Sequence, residues 1–290
     1  MNPGEKLRIV ALCCDGTPQR HFLRRLAELH QLVGVVIHAT PPSRNRISER
    51  VQRYRNPVLL ARHLRARWLA RSLGARVAEL ERRLFWDRDG PPALPIGPRI
   101  LRTADVNSPE VVAMIAASGA DLVCVNGTNL LRAPVLDLAG GIRCGFVNLH
   151  TGLSPYTRGG NCNLWALLEN HPEWIGVTVH HIDPGIDSGD IILSAQTPLE
   201  ADDLYEWIQL RNFRQGFDLF LEAIGLFESG SAPRVPQWEE GRLYLRRTGF
   251  VYEPWLHVRA NRMIREGVIR RYLEARTVID AQVRTVTPGR

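Results

Sequence analysis

The chain has 290 residues, of which 44% are hydrophobic and 23% charged, as in a globular protein with one large domain and a small appendage. No apolar run approaches the roughly 18 residues of a membrane-spanning helix, and the N-terminal residues lack the apolar core of a signal peptide. We therefore expect a cytoplasmic protein without a membrane partner. Lys6 is the one lysine beside 36 arginines. Its place before the first predicted strand excludes a P-loop and a Schiff-base enzyme.

Charge is distributed unevenly along the chain. Residues 41–88 contain 13 arginines and four acidic residues, and residues 241–290 contain 11 arginines and four acidic residues. The stretch between them, 89–240, has a net charge of −11. Two basic segments can attract phosphate groups or nucleic acid, or they can be the solvated faces of arginine-rich helices. We favour the second interpretation and do not expect nucleic acid as a partner.

Five cysteines are present without a CxxC pair, which argues against a disulfide framework and against a structural zinc site. His180 and His181 are neighbours on a predicted strand, so their side chains point to opposite faces. We therefore predict no metal site.

In chain order, the apolar run 8–14 predicts a buried strand. A helix follows through apolar residues from Phe22 to Leu32, and a second buried strand spans 33–39. This order begins a parallel α/β sheet. An arginine-rich insertion, 41–88, opens with a loop over 41–56 and continues as a long helix from Pro57. The apolar stripe of that helix predicts one packed face and solvent-facing arginines.

Further strands are predicted at 99–101, 121–127 and 145–150, with a helix over 111–118 for which Ser108 is the N-cap. The pattern predicts an α/β, Rossmann-like, mostly parallel sheet with helices on both faces. Residues 231–290 add a β-hairpin at 241–245 and one helix from Leu256 to Ile269. We divide the chain into a catalytic domain, 1–230, and a small C-terminal extension, 231–290.

The chemistry concentrates between residues 148 and 192. Asn148 and His150 are two residues apart near the carboxyl end of a strand, so they project together at the sheet edge where ligands bind. Asp187 arrives from a later strand and loop. This set suits acyl transfer, with Asn148 holding a developing oxyanion, His150 polarising it or managing a proton, and Asp187 accepting the amine proton. From the residues alone, polar strand ends without a catalytic role remain an equal alternative.

The same stretch reads N-L-H at 148–150, G-L-S-P at 152–155, G-V-T-V-H at 176–180 and D-P-G-I-D-S-G at 183–189. It resembles the folate-dependent formyltransferase family, which includes glycinamide ribonucleotide, methionyl-tRNA and sugar-nucleotide formyltransferases, over roughly 7–228. The resemblance implies the formyltransferase fold and 10-formyltetrahydrofolate as formyl donor. It also implies that Asn148, His150 and Asp187 are the catalytic residues.

The resemblance further implies two loops around the folate, at 127–131 and 182–186. Their expected cofactor-binding residues are Thr128, Asn129, Leu130, Leu131, Ile182, Asp183 and Gly185. Residues expected to contact the acceptor are Tyr156, Arg158 and His180. The alternative for Leu130 and Leu131 is ordinary core packing.

About 60 residues follow Gly230, which is fewer than the barrel of the methionyl-tRNA branch requires. The resemblance therefore implies a small-molecule amine as acceptor, first of all an amino sugar on a nucleotide, hence a phosphorylated ligand. The alternatives are an amino acid or peptide amine of a siderophore or natural-product pathway, methionyl-tRNA, water, or a non-catalytic folate- or nucleotide-binding module. We further expect that the basic segments can take part in self-association, which would give a homodimer.

Overall fold

The computed structural model describes residues 6–39 and 57–288. Its strands are β1 (Arg8–Cys14), β2 (Gln31–His38), β3 (Arg99–Thr103), β4 (Leu122–Asn126), β5 (Phe146–His150), β6 (Thr157–Gly159), β7 (Gly176–His181), β8 (Ile191–Gln196) and β9 (Arg242–Tyr244). Its α-helices are α1 (Thr17–Leu29), α2 (Pro57–Phe85), α3 (Pro109–Ala117), α4 (Ala133–Leu136), α5 (Cys162–Leu168), α6 (Tyr205–Ser229), α7 (Trp255–Arg265), α8 (Val268–Glu274) and α9 (Arg276–Asp280).

Seven strands form the main sheet, in the order β3-β2-β1-β4-β5-β7-β8. The first five of these are parallel, whereas β7 is antiparallel to both β5 and β8. Alternate residues of β1 face opposite layers: Ile9 packs with α1, α2 and α6, and Val10 packs with α3 and α4. Helices thus cover both faces of a mostly parallel sheet, which confirms the predicted fold class.

One predicted helix end needs correction, and one predicted N-cap is found without its side-chain bond. Helix α1 ends at Leu29, and Leu32 belongs to β2, where it pairs with Ile9. The apolar spacing had extended the helix because a buried strand residue continues the same pattern. Ser108 occupies the N-cap position of α3, but its buried hydroxyl makes no capping hydrogen bond.

The long helix α2 begins and ends as predicted, but only part of its apolar stripe is packed. Leu80 and Phe85 are buried against α1 and α6, whereas Leu60, Leu64 and Trp68 are 38%, 55% and 68% exposed. At 1.5 Å per residue, 29 residues extend for about 43 Å, more than twice the length of the 13-residue α1. Helix α6 has 25 residues, so helix length alone does not decide which part is covered; the buried residues Leu80 and Phe85 lie near the C-terminal end of α2. Its arginines are exposed wherever the structure describes their side chains, as predicted. The predicted loop over 41–56 lies outside the described residues.

The C-terminal prediction of a hairpin is wrong. Strand β9 pairs in parallel with β6, and Thr157 lies opposite Arg242, which is 85 residues later in the sequence. Gly241 (φ +61°) makes this possible, because a Cβ there would collide with the carbonyl oxygen of Pro155. The single helix predicted over 256–269 is divided into α7 and α8 at Gly267, whose φ is +87°.

The C-terminal segment shares a hydrophobic core with the region before it. Helices α7 and α8 bury Leu256, Ile264 and Ile269 against α5 and α6. Val286 then pairs with the edge of the main sheet, where the Ser194 amide donates to the Val286 carbonyl at 2.8 Å. No helix in the described part of the chain is both long and apolar enough to cross a membrane.

We expect Ile264→Ala to lower the free energy of unfolding of the whole protein by about 2–5 kcal/mol, because it leaves a cavity in this shared core. The matched control is Val258→Ala on the same helix, where the side chain is 44% exposed and the change should stay within about 0.5 kcal/mol. Urea unfolding followed by circular dichroism and tryptophan fluorescence measures both. A separate C-terminal transition, with the main transition unmoved by Ile264→Ala, would contradict this packing.

Candidate active site

Strands β5 and β7 bring the first polar groups of the site together. Their antiparallel register pairs Asn148 with His180, and the amide Nδ2 of Asn148 lies 3.1 Å from Nε2 of His180. The other ring nitrogen of His180, Nδ1, donates to the carbonyl of His181 at 2.7 Å. This assigns the proton of neutral His180 to Nδ1 and leaves Nε2 to accept from Asn148.

Asp187 reaches these strands through a loop that folds back. Strand β7 ends beside Phe146, at the start of β5, yet Asp187 contacts His150 at the end of β5. Asp187 has φ +48°, and the Asp183 carboxylate holds the loop by accepting from the Ser188 hydroxyl at 2.9 Å and the Gly185 amide at 3.1 Å. A left-handed backbone at Asp187 completes this reversal.

The Asp187 carboxylate is the centre of the site. Its Oδ1 accepts from Asn148 Nδ2 at 3.4 Å and lies 3.6 Å from His180 Nε2. Its Oδ2 accepts from the Gly159 amide at 2.9 Å and lies 3.4 Å from His150 Nδ1. The structure thus brings together all three predicted catalytic residues, with His180 as a fourth.

His150 is held between two acceptors and is 5% exposed. Its Nε2 lies 3.2 Å from the Thr157 carbonyl, while its Nδ1 faces Asp187. A neutral imidazole carries one N–H and can satisfy one of these acceptors, whereas the imidazolium satisfies both. The site therefore offers a proton-binding position between two fixed oxygen atoms.

Burial sets the charge states of this pair. It lowers the pKa of His150 below its ordinary value, and the Asp187 carboxylate opposes this only in part. Burial alone would raise the pKa of Asp187, but the imidazoles of His150 and His180 and the Gly159 amide hold that pKa well below its usual range. At neutral pH the site thus contains an ionised Asp187 beside a largely neutral His150, a combination suited to accepting and passing on a proton.

A cavity of about 420 Å³ opens beside these side chains. The two predicted loops form its walls, and Gly127 (φ +71°) turns the chain from β4 into the first of them. Leu130 is 60% exposed at its mouth. All the predicted cofactor-binding residues line it, namely Thr128, Asn129, Leu130, Leu131, Ile182, Asp183 and Gly185.

Two predicted acceptor residues do not line the cavity. Tyr156 is buried, stacks on Trp174, and accepts a hydrogen bond from the Arg284 amide at 2.7 Å. The Arg158 guanidinium lies 3.9 Å from Glu240. The backbone of the same segment does reach the cavity, because Gly159 and Gly160 line it. This loop therefore borders the cavity through its backbone, whereas the side chains of Tyr156 and Arg158 do not line it.

Several lining residues were missed by the sequence reasoning, among them Asn126, Gln19 and Leu245. Asn126 donates to the Leu149 carbonyl at 3.0 Å, between the two predicted catalytic residues of β5, and accepts from Gln19 at 3.0 Å. Its place at the end of a predicted strand was a usable signal. Nothing in the local sequence marks Gln19 or Leu245, which come from a helix and from the C-terminal segment.

Within residues 6–39 and 57–288, no three His, Cys, Asp or Glu side chains are grouped to hold a metal ion. The His181 ring packs edge-on against Phe227, with the ring centroids 5.8 Å apart, whereas His180 faces the cavity. The side chains of these two adjacent histidines thus lie in different environments on opposite faces of β7.

Comparison with known proteins agrees with this geometry. The model of the formyl transferase family matches residues 9–224. The chain belongs to the formyl transferase family. The match includes the strands of the main sheet and the predicted catalytic residues Asn148, His150 and Asp187, and it ends within α6.

The similar proteins have names that refer to different reactions. A methionyl-tRNA formyltransferase of Syntrophus aciditrophicus is 31% identical over 139 residues, which are 48% of this chain and 43% of the relative. The cytosolic 10-formyltetrahydrofolate dehydrogenase of Mus musculus is 33% identical over 138 residues, 47% of this chain and 15% of the relative. The matches therefore span less than half of these relatives. A sugar N-formyltransferase from a Shewanella species shares the fold, with a TM-score of 0.50, 17% identity, and coverage of 81% of this chain and 76% of that one.

We expect Asp187→Asn to lower the pKa of His150 by about one unit or more, because it removes the negative charge that stabilises the imidazolium. NMR titration of the histidine ring protons measures this, with the His150 signal identified by its absence in His150→Gln. The control is Asp190→Asn, which removes a carboxylate paired with Arg234 at the end of the same loop. Equal titration of His150 in both variants would contradict the assigned pairing.

Proposed function

We propose that this formyl transferase moves a formyl group from 10-formyltetrahydrofolate to the primary amine of a small acceptor, with an amino sugar on a nucleotide as the first candidate. The observation that carries the proposal is the convergence of Asn148, His150 and Asp187 at one cavity walled by two loops. The family and the name of the mouse relative support the donor.

The cavity suits the donor in size and chemistry. Its 420 Å³ falls within the range of about 300–1,000 Å³ that is usual for small-molecule sites. Leu130, Leu131 and Ile182 offer apolar side chains to a planar ring, and the loop backbones offer polar groups to its edge. The bound donor would supply the electrophilic formyl carbon.

The residues of this chain would then transfer the proton of the acceptor amine and stabilise the negative charge that develops on the formyl oxygen. The new bond joins the acceptor nitrogen to the formyl carbon, and the bond from that carbon to the folate nitrogen breaks. Asp187, ionised and next to His150, accepts the proton that the acceptor amine loses, and the pair returns a proton to the departing nitrogen. Asn148 can donate to the formyl oxygen by giving up its long 3.4 Å contact with Asp187. His180 keeps the Asn148 amide oriented through the shorter contact.

Exposed arginines that follow a cavity-lining residue in the sequence support a phosphorylated acceptor. Leu245 lines the cavity, and Arg246 and Arg247 follow it at the surface. In the part of the chain that the structure describes, neither guanidinium has a carboxylate partner. Arginine forms strong charge-assisted hydrogen bonds with phosphate. A nucleotide-linked sugar would bring phosphates to this edge while its amine enters the site.

Methionyl-tRNA is the second candidate acceptor. It is favoured by the name of the Syntrophus relative and by the arginine-rich α2, whose arginines are exposed wherever their side chains are described. It is disfavoured by the net charge of −11 over residues 89–240, which contain the catalytic groups and would repel a polyanion. An amino acid or peptide amine, the first alternative that the sequence offers, is a further candidate.

We expect His150→Ala and Asp187→Asn each to lower turnover by about 10²-fold or more, since each removes a group that transfers or stabilises a proton. Formation of tetrahydrofolate in the presence of acceptor measures this. Asp218→Asn on the exposed side of α6 is the control and should retain activity. Stabilisation by 5-formyltetrahydrofolate in a thermal melt shows that each variant is folded and binds the donor. Near-native turnover in either catalytic variant would refute the assigned roles.

The acceptor can be found by mass spectrometry after incubation with 10-formyltetrahydrofolate and a panel of nucleotide amino sugars, amino acids and charged initiator tRNA. We expect formylation of a nucleotide amino sugar, and we expect the Arg246→Gln, Arg247→Gln double variant to raise its KM several-fold. Formylation of the tRNA, with binding tighter than about 10⁻⁶ M at ~0.15 M salt, would establish the second candidate instead.

A further inference from the structure

The catalytic pair depends on two backbone groups of β6. The Thr157 carbonyl lies 3.2 Å from His150 Nε2, and the Gly159 amide donates to Asp187 Oδ2 at 2.9 Å. These contacts are on opposite sides of the His150–Asp187 pair. A movement of β6 would therefore change both the orientation of the imidazole and the hydrogen bonding of the carboxylate.

Strand β6 is three residues long and lies outside the main sheet. Its pairing partner is β9, from the C-terminal segment. The Arg242 amide donates to the Tyr156 carbonyl and the Gly160 amide donates to the Tyr244 carbonyl, each at 2.9 Å. Gly159 (φ +99°) permits this approach, because a Cβ at that position would collide with the Tyr244 carbonyl.

Tyr244 anchors β9 to the helix that follows β6. Its side chain is 1% exposed, and its hydroxyl donates to Glu169 Oε2 at 2.8 Å, at the end of α5. The same carboxylate oxygen accepts from Arg242 at 2.9 Å. The Tyr244 ring also packs edge-on against Phe250, with the centroids 4.8 Å apart. Strand β9 is therefore fixed at its end as well as along its backbone.

We infer that β9, anchored by Tyr244, is a positioning element for catalysis: it holds β6 so that Thr157 and Gly159 keep His150 and Asp187 in place. The amino-acid sequence of β9 lies beyond residues 9–224, which the family model matches. Tyr244 touches no reacting atom in this arrangement and acts through the backbone of β6.

The test compares two variants that each lose one hydrogen bond from a buried tyrosine hydroxyl to a carboxylate. Tyr244→Phe removes the hydrogen bond to Glu169, and Tyr272→Phe removes an equivalent one, since Tyr272 is 5% exposed and donates to Asp280 at 2.7 Å. Tyr272 lies on α8 and has no bond to β6. Glu169→Gln, which keeps an acceptor oxygen for Tyr244, serves as a milder second variant.

We expect Tyr244→Phe to lower the pKa of His150 by about half a unit, the scale of weakening one hydrogen bond to the imidazolium. NMR titration of the His150 ring protons measures this pKa. The other titratable groups that face the His150 ring are Asp187 and His180, and they are unchanged in all these variants. Glu169→Gln should give a smaller shift in the same direction, and Tyr272→Phe none. Turnover should fall about tenfold in Tyr244→Phe, because small displacements of catalytic groups are costly. The KM for the donor should not change.

Equal titration of His150 in the wild type, Tyr244→Phe and Glu169→Gln would overturn the inference. So would an equal shift in Tyr272→Phe, since it would show a general loss of stability. The titration needs no acceptor, so its outcome is independent of whether the proposed acceptor is correct. Thermal melting with 5-formyltetrahydrofolate confirms that each variant is folded and that its donor site is intact.

Discussion

A buried carboxylate organises this protein. Asp187 has a side chain that is 16% exposed, and an ionised group in such a place requires hydrogen bonds and neighbouring positive or polarisable groups. Its four partners come from three different strands: Asn148 and His150 from β5, His180 from β7, and the Gly159 amide from β6. The charge can therefore be kept only while these three strands hold their relative positions.

The sheet supplies the first part of that constraint. Because β7 runs antiparallel to β5, Asn148 stands opposite His180, and their side chains bond across the strands. Because β7 is antiparallel to β5, the loop after β7 begins beside the start of β5, whereas His150 lies at the end of β5. The loop must therefore fold back. Asp183 and the left-handed backbone of Asp187 accomplish this. One change of strand direction thus explains both the histidine contact and the strained position of the central carboxylate.

The C-terminal segment supplies the second part. It packs α7 and α8 into a core shared with α5 and α6, pairs β9 with β6, and contributes Leu245 to the cavity wall. This segment contributes to the shared hydrophobic core, to the strand pair beside His150 and Asp187, and to the cavity wall. It is therefore coupled to all three. Variation in this segment can consequently alter the cavity wall and the geometry of His150 and Asp187 together.

The sequence by itself determined the features that local patterns encode. The run 8–14 is a buried strand because continuous apolar residues satisfy both faces of a central strand, and β1 occupies those residues. Asn148 and His150 were predicted to point together because side chains in a strand alternate, and both line the cavity. The loops at 127–131 and 182–186 were predicted from the family resemblance, and both line the cavity.

Only the tertiary structure decided what depends on distant partners. The stripe of α2 shows where a helix could pack, but the assembled fold buries only residues near its C-terminal end and leaves Trp68 exposed. Residues 241–245 have the composition of a hairpin, yet β9 pairs with β6, because Gly159 and Gly241 allow a close backbone approach that the local sequence does not reveal. Tyr156 lies in the predicted loop and still turns away, since its hydroxyl is bound by the Arg284 amide. Pairing across a long chain separation is a property of the assembled fold, whereas alternation and apolar runs are properties of the segment itself.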